Sequence, residues 1–113
     1  MEVSSLNRDA RKMSVQIERY VDDTFPGVVA CVLIDADGGR HEFIEKVPVV
    51  SSSDLRADSS YPQPGYIACV VEHEWMDTAG RKLVRINTQY PWDIASVSGV
   101  TVFNVLEVQL IGK

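Results

Sequence analysis

The chain has 113 residues, a length typical of one domain with a single hydrophobic core. Hydrophobic residues make up 45% of it and charged residues 24%, the ordinary balance of a globular protein. The net charge is −5 and the isoelectric point about 4.9. Because nucleic-acid affinity comes mainly from Lys and Arg contacts to phosphates, we do not expect a chain this acidic to bind nucleic acid.

The N-terminal segment fits two interpretations. One helical face would be formed by apolar residues at spacings of three and four, capped by Ser4 or Ser5: Leu6, Ala10, Met13, Ile17 and Tyr20. Val15, Ile17 and Val21 also alternate as in a strand. We expect residues 1–13 to be an extension that is helical through about residue 13, with Met13 as an alternative initiation point. A strand over about 14–21 would then open a single β domain of residues 14–113.

Two glycine-containing turns predict two β-hairpins. DADGGR (35–40) lies between the apolar runs GVVACVLI and HEFIEKVPVV, and DTAGR (77–81) lies between YIACVVEHEWM and KLVRINTQY. Turns of this composition supply the positive φ angles that tight hairpins need. DADGG also resembles the start of a calcium loop, but the twelfth residue from Asp35 is Lys46 rather than a glutamate, so we interpret it only as a turn.

The remaining segments predict a long loop, a link and a last strand. SSSDLRADSSYPQPG (51–65) is rich in serine and proline and predicts a loop. PWDIASVSG (91–99) predicts a link with one short helical turn, and VTVFNVLEVQLI (100–111) a strand that is apolar on both faces at its start. The expected fold is therefore mainly β, with five or six antiparallel strands. We favour a small barrel over a sandwich, because ~90 residues leave little for two full sheets.

The cysteines and the N-terminus bear on the expected compartment. Cys31 and Cys69 each lie inside an apolar run, so we expect two buried, reduced thiols. The N-terminal stretch lacks the apolar core of a signal peptide, and no run approaches the ~18 apolar residues of a membrane helix. We therefore expect a cytoplasmic protein that does not enter the membrane.

The stretch VVEHEW (70–75) places two carboxylates around a histidine. In a regular strand alternate residues share a face, so Glu72 and Glu74 would point together and His73 would point to the core side with Cys69. Arg85, on the facing strand, is expected across from one of the glutamates. We expect the glutamates to form a solvated face able to meet a partner, and His73 to be a hydrogen-bonded core residue.

A metal site is the alternative use of the histidines. His41 and Glu45 share a strand face, and if the hairpins brought them to His73, three ligands of a catalytic zinc would meet. Nothing in the spacing requires this convergence. The preferred expectation is that the protein has no metal or other cofactor.

Aromatic residues in the proline-containing links are the stronger binding candidates. Tyr61 and Tyr66 lie in YPQPGY, and Tyr90 and Trp92 lie in QYPWD. Exposed Tyr and Trp on loops often anchor protein interfaces. The competing interpretation is that Tyr90 and Trp92 plug one end of the barrel.

These observations favour a non-enzymatic protein-binding module. The sequence has no nucleophile elbow, P-loop or dinucleotide-binding glycine motif. In size and acidity it is similar to toxin immunity proteins and to other small bacterial proteins, a resemblance of type that rests on no motif. We expect an immunity or adaptor type of protein, whose acidic charge suits a basic partner and which binds another protein through Tyr61, Tyr66, Tyr90, Trp92, Glu72 and Glu74. The alternative is a small-ligand-binding or metal-dependent barrel enzyme using His41, His73 and Glu45.

Overall fold

The computed structural model describes residues 10–111. These residues form seven strands, one short α-helical turn and one 3₁₀ turn. In chain order the elements are β1 (Arg11–Asp22), β2 (Val28–Ile34), β3 (Arg40–Lys46), α1 (Val47–Val50), β4 (Gln63–Met76), β5 (Lys82–Asn87), β6 (Val102–Leu106), the 3₁₀ turn (Glu107–Gln109) and β7 (Leu110–Ile111).

The strands form one curled antiparallel sheet, a half-barrel. Its order is β3-β2-β1-β4-β5-β6, and β7 pairs with β1. The mainly β, antiparallel prediction is confirmed. The predicted five or six strands are too few, and the sheet is a half-barrel rather than a small closed one.

Residues 11–13 are strand, so the predicted helix is wrong there. Met13, Val15 and Ile17 are buried while the residues between them face outward, which is the period of two of a strand with one wet face. β1 pairs with β4 over Arg11–Ile17 and with β2 over Gln16–Asp22, while β7 pairs with Lys12 and Met13. This pairing on both sides makes residues 11–13 strand, although the local sequence also fitted the expected helix. The rest of the predicted extension, residues 1–9, lies outside the described residues.

Both predicted hairpins are present, and their turns share one design. The carboxylate of Asp35 accepts hydrogen bonds from the amides of Asp37 and Gly39. Asp77 accepts in the same way from the amides of Ala79 and Arg81. An aspartate that bonds the backbone two residues on favours a turn locally, which is why these segments could be predicted from sequence.

The two ends of the half-barrel differ in what they carry. At the turn end both hairpin turns lie together, since the Arg81 side chain donates a hydrogen bond to the carbonyl of Ala36. The opposite end, which we call the α1 end, carries the β1–β2 link, α1 and the start of β4. Gly65 in β4 lies against α1, because a methyl group built on it would be 2.8 Å from the carbonyl oxygen of Val50.

Two segments depart from the predicted boundaries. The predicted 51–65 loop ends early, because β4 begins at Gln63. The loop also packs against the core through Leu55, which is only 5% exposed. The predicted C-terminal strand is interrupted by the 3₁₀ turn. There the Gln109 side chain accepts a hydrogen bond from the amide of Leu106 and donates one to the carbonyl of Ile34.

The core fills the concave side of the sheet. Its largest fully buried members come from β1, β2, β3, β4 and β5: Phe43, Met13, Ile17, Leu33, Ile67 and Ile86. Cys31 and Cys69 are buried and form no disulfide, as predicted. Within the described residues, no helix has the length and apolar character needed to cross a membrane.

Candidate functional site

A cavity of about 520 Å³ opens at the α1 end, within the size range of small-ligand pockets. It lies where the end of β3, α1, β4 and the loop before β6 meet. Its walls are mainly apolar, with three charged side chains among them. The lining residues are Lys12, Glu45, Pro48, Val49, Tyr66, Ala68, Trp92, Asp93 and Ile94.

Glu45 is the half-buried carboxylate of this cavity. It sits at the end of β3 opposite Val29, on the face that carries the core residue Phe43. No residue within 10–111 gives its carboxylate a hydrogen bond or an ion pair. Burial raises the pKa of Glu45, because the charged form is less well solvated there. The negative charge of Glu45 therefore lacks a partner in the described structure.

Lys12 supplies the positive charge of the cavity without pairing with Glu45. Its ammonium lies 4.5 Å from the centre of the Tyr66 ring, a cation–π contact across neighbouring strands. No ion pair joins Lys12 to a carboxylate among residues 10–111. With Glu45 and Asp93 also present, the charged lining carries a net negative charge when all three groups are ionised.

Trp92 lies on a loop that is fixed by hydrogen bonds to the buried residue Thr88. The Thr88 side chain is fully buried and its hydroxyl donates a hydrogen bond to the carbonyl of Ile94. The amide of Ile94 donates in return to the carbonyl of Thr88. Trp92 itself is 68% exposed, and Asp93 beside it has a φ of 55°, which is uncommon outside glycine. The loop thus presents a large aromatic ring from a fixed base.

Phe25 marks a second cavity at the same end. Its side chain is 93% exposed, the most exposed large hydrophobic side chain within 10–111. It borders a cavity of about 610 Å³ between the β1–β2 link and the 51–57 segment. Pro48 of α1 lines both cavities, so Phe25 and Trp92 flank α1. We call the surface formed by Phe25, Pro48 and Trp92, with the two cavities, the end surface.

A β-bulge overturns the predicted position of His73. The register of β4 against β5 shifts between Val71, which pairs with Ile86, and His73, which pairs with Arg85. One extra residue reverses which side chains face inward. His73 is therefore exposed on the convex side and stacks on Trp75 at 5.3 Å. Arg85 lies across from His73 and not from a glutamate.

The two glutamates of VVEHEW contact different neighbours. Glu72 accepts a hydrogen bond from the buried side chain of Asn87, which also accepts one from the amide of Gln89. Glu74 lies 3.7 Å from the ammonium of Lys82, near the turn end. Because the bulge separates Glu72 from Glu74, the two carboxylates do not form one charged pair.

The proposed zinc ligands do not meet. His41 lies 2.8 Å from the carboxylate of Asp35 and packs edge-on against Phe103 at 4.9 Å. His73 is on the opposite side of the sheet, and Glu45 lines the cavity at the α1 end. Among residues 10–111, no group of three or more His, Cys, Asp or Glu residues could hold a metal ion.

The predicted aromatic residues divide into three environments. Trp92 and Tyr66 line the same cavity. Tyr90 is 49% exposed, so neither it nor Trp92 plugs the half-barrel. Tyr61 packs against the core, and its hydroxyl donates to the carbonyl of Arg56.

Among the residues of the end surface and its cavities that sequence reasoning missed are Lys12, Phe25 and Pro48. The sequence contained a usable indication for Phe25. This large aromatic residue lies between charged residues and a proline-glycine turn, where little of the hydrophobic core is within reach. Lys12 had no such signal, because it lay in the segment expected to be helical.

Comparisons with protein-family models, curated proteins and solved structures found no match for this chain. Functional inference therefore depends on the geometry of the site.

Proposed function

We propose that the protein is a non-enzymatic binding module, of the immunity or adaptor type, that holds a basic protein partner on its end surface. The observation that carries this proposal is the exposed Trp92 ring on a loop fixed by buried hydrogen bonds. Large aromatic side chains are the usual anchors of protein interfaces, and a fixed loop loses little conformational entropy on binding.

Charge supports a basic partner. The two cavities of the end surface are lined by four carboxylates, Asp23, Asp54, Glu45 and Asp93, against two basic residues, Lys12 and Arg56. The whole chain carries a net charge of −5. Complementary charge raises the association rate, and this contribution weakens as salt screens it.

Selection from a displayed library of random linear peptides tests the proposal. We expect enrichment of peptides that combine Lys or Arg with apolar residues. Trp92→Ala and Phe25→Ala should each weaken binding of a selected peptide about fivefold or more, the loss that truncating an interface anchor brings. Association should also slow as salt is added.

Met76→Ala is the matched control. Met76 is 63% exposed but lies at the turn end, about 30 Å of extended strand from Tyr66. Its truncation should leave peptide binding unchanged. Failure to enrich any peptide, or equal binding to wild type and Trp92→Ala, would refute the proposal.

A small-ligand-binding protein is the second candidate, and the cavity beside Glu45 is the observation that favours it. Binding of a free organic cation without any selected peptide would support this candidate instead.

A further inference from the structure

We infer that the cavity beside Glu45 receives a lysine or arginine side chain of the partner, whose aliphatic part lies against Trp92 and whose charge meets the Glu45 carboxylate. The inference rests on the proposed function and names the group that this surface recognises. It commits to a basic side chain because the cavity combines apolar walls with a carboxylate that no described residue neutralises.

The apolar walls fit the stem of such a side chain. Val49, Ile94 and Ala68 line the cavity together with the rings of Trp92 and Tyr66. Lys and Arg bury their methylene groups along apolar surfaces while their charged ends seek a polar partner. Among aromatic rings, tryptophan also gives the strongest cation–π contact.

The carboxylate of Glu45 fits the charged end. A half-buried carboxylate without a hydrogen bond or ion pair is unfavourable in the free protein, and an incoming cation would compensate that cost. Lys12 does not fill this role, because its ammonium lies over the Tyr66 ring. Removing Lys12 should therefore favour the incoming cation by reducing repulsion.

The probe for the test is Nα-acetyl-lysine methylamide, titrated into ¹⁵N-labelled protein. Nα-acetyl-norleucine methylamide, which has the same aliphatic chain without the charge, is the neutral control. We expect the lysine derivative to shift the Trp92 indole signal and the backbone amides of Glu45 and Tyr66. The indole of Trp75, which lies towards the turn end, should not shift and serves as the internal control.

Glu45→Gln is the decisive variant. It should weaken binding of the lysine derivative about fivefold or more, as loss of a charge-assisted contact predicts, and leave the weaker binding of the norleucine derivative unchanged. Lys12→Met should tighten binding of the lysine derivative. Equal binding of the two derivatives, or binding of the lysine derivative that Glu45→Gln does not weaken, would overturn the inference.

The melting temperature separates a loss of binding in Glu45→Gln from a loss of folding. The raised pKa of Glu45 means that its carboxyl group stabilises the fold below the ordinary pKa of 4.5, and that this contribution is lost as pH rises through the raised folded value. Removing the ionisable group should therefore leave the melting temperature at pH 7 equal to or above that of the wild type.

The pH dependence gives an independent readout. The charged or titratable groups that surround Glu45 are Lys12, Tyr66, Asp93 and the thiol of Cys31. Affinity for the lysine derivative should rise with pH as Glu45 ionises, since only the carboxylate attracts the cation. Asp93→Asn should keep this rise and Glu45→Gln should abolish it; a rise that survives in Glu45→Gln contradicts the inference.

The two proposals fail differently. If selected peptides bind wild type and Glu45→Gln equally but lose affinity for Trp92→Ala, the end surface binds proteins and the cavity inference is wrong. If no peptide is selected while the lysine derivative binds through Glu45, the protein-binding proposal is wrong, and so is the assignment of the cavity to a partner's side chain.

Discussion

Thr88 is the buried polar residue that holds the loop carrying Trp92. Its hydroxyl donates to the carbonyl of Ile94, and its amide donates to the carbonyl of Thr101. A buried carbonyl that loses its donor bears the desolvation cost of that group. The exposed ring of Trp92 therefore depends on a side chain that no partner would contact.

We predict that Thr88→Val lowers the free energy of unfolding by about 1–3 kcal/mol, because the isosteric side chain leaves the Ile94 carbonyl unsatisfied. Urea denaturation measures this change. Thr101→Val is the control, since the Thr101 side chain makes no hydrogen bond within residues 10–111, and it should cost much less. Equal stability of Thr88→Val and wild type would show that the hydroxyl does not hold the loop.

The Asp35 carboxylate makes the stability of the first hairpin turn depend on pH. Burial by itself raises the pKa of Asp35, but hydrogen bonds from His41 and from the amides of Gly39 and Asp37 outweigh it, so the pKa lies below its ordinary value. The carboxylate therefore stabilises the folded state fully above about pH 4. This contribution is lost as pH falls through the lowered folded value.

Asp35→Asn should consequently be less stable than wild type at pH 7, and the difference should shrink as the pH falls below about 4. Urea unfolding at a series of pH values measures it. Asp37→Asn, in the same turn but with an exposed side chain, should change the stability at pH 7 much less. A difference between Asp35→Asn and wild type that is constant with pH would contradict this assignment.

Gly65 determines how closely α1 approaches the sheet. A methyl group at this position would lie 2.6 Å from the end of the Ile17 side chain and 2.8 Å from the Val50 carbonyl oxygen. The side chain of Ile17 could move, but the backbone of α1 could not move without opening the core around Val50. The position of α1 beneath the end surface thus depends on the absence of a side chain at Gly65.

We predict that Gly65→Ala lowers the free energy of unfolding by about 1–3 kcal/mol, the usual cost of overpacking a core. Thermal or urea denaturation measures the loss. Combining it with Ile17→Val, which removes only Cδ1, should not restore stability, because the contacts with Cγ1 of residue 17 and with the Val50 carbonyl remain. Recovery in the double variant would show that Ile17 alone opposes the added methyl group.

The bulge in β4 shows how one extra residue changes what a strand presents. Before it Cys69 faces the core, and after it His73 and Trp75 face away from it. Simple alternation across VVEHEW therefore assigned the histidine to the wrong side. A bulge depends on the partner strand, so the local pattern gave no sign of it.

The half-barrel as a whole keeps both thiols away from solvent. Burial raises the pKa of Cys31 to about 12, with a further contribution from the nearby charge of Glu45. Burial also raises the pKa of Cys69 to about 12. Because the thiolate is the reactive form, both cysteines should be inert while the sheet is intact.

Native protein at pH 8 should therefore react with an aromatic disulfide reagent only as fast as the fold opens, which absorbance of the released thiol measures. The same protein in urea should react at both cysteines at once. Rapid stoichiometric reaction of the native protein would show that one strand opens without global unfolding.

Local sequence was sufficient for the hairpins, the antiparallel β class and the burial of both cysteines. Asp35 and Asp77 bond the backbone of their own turns, and an apolar run around a cysteine has few alternatives to burial, so neighbouring residues alone decide these features. Long-range contacts were needed for the length of β1, the bulge that exposes His73, and the meeting of Glu45, Tyr66 and Trp92 around one cavity. Each of these depends on which distant strands pair and in what register, and pairing is decided by the burial of whole faces, which a local pattern does not contain.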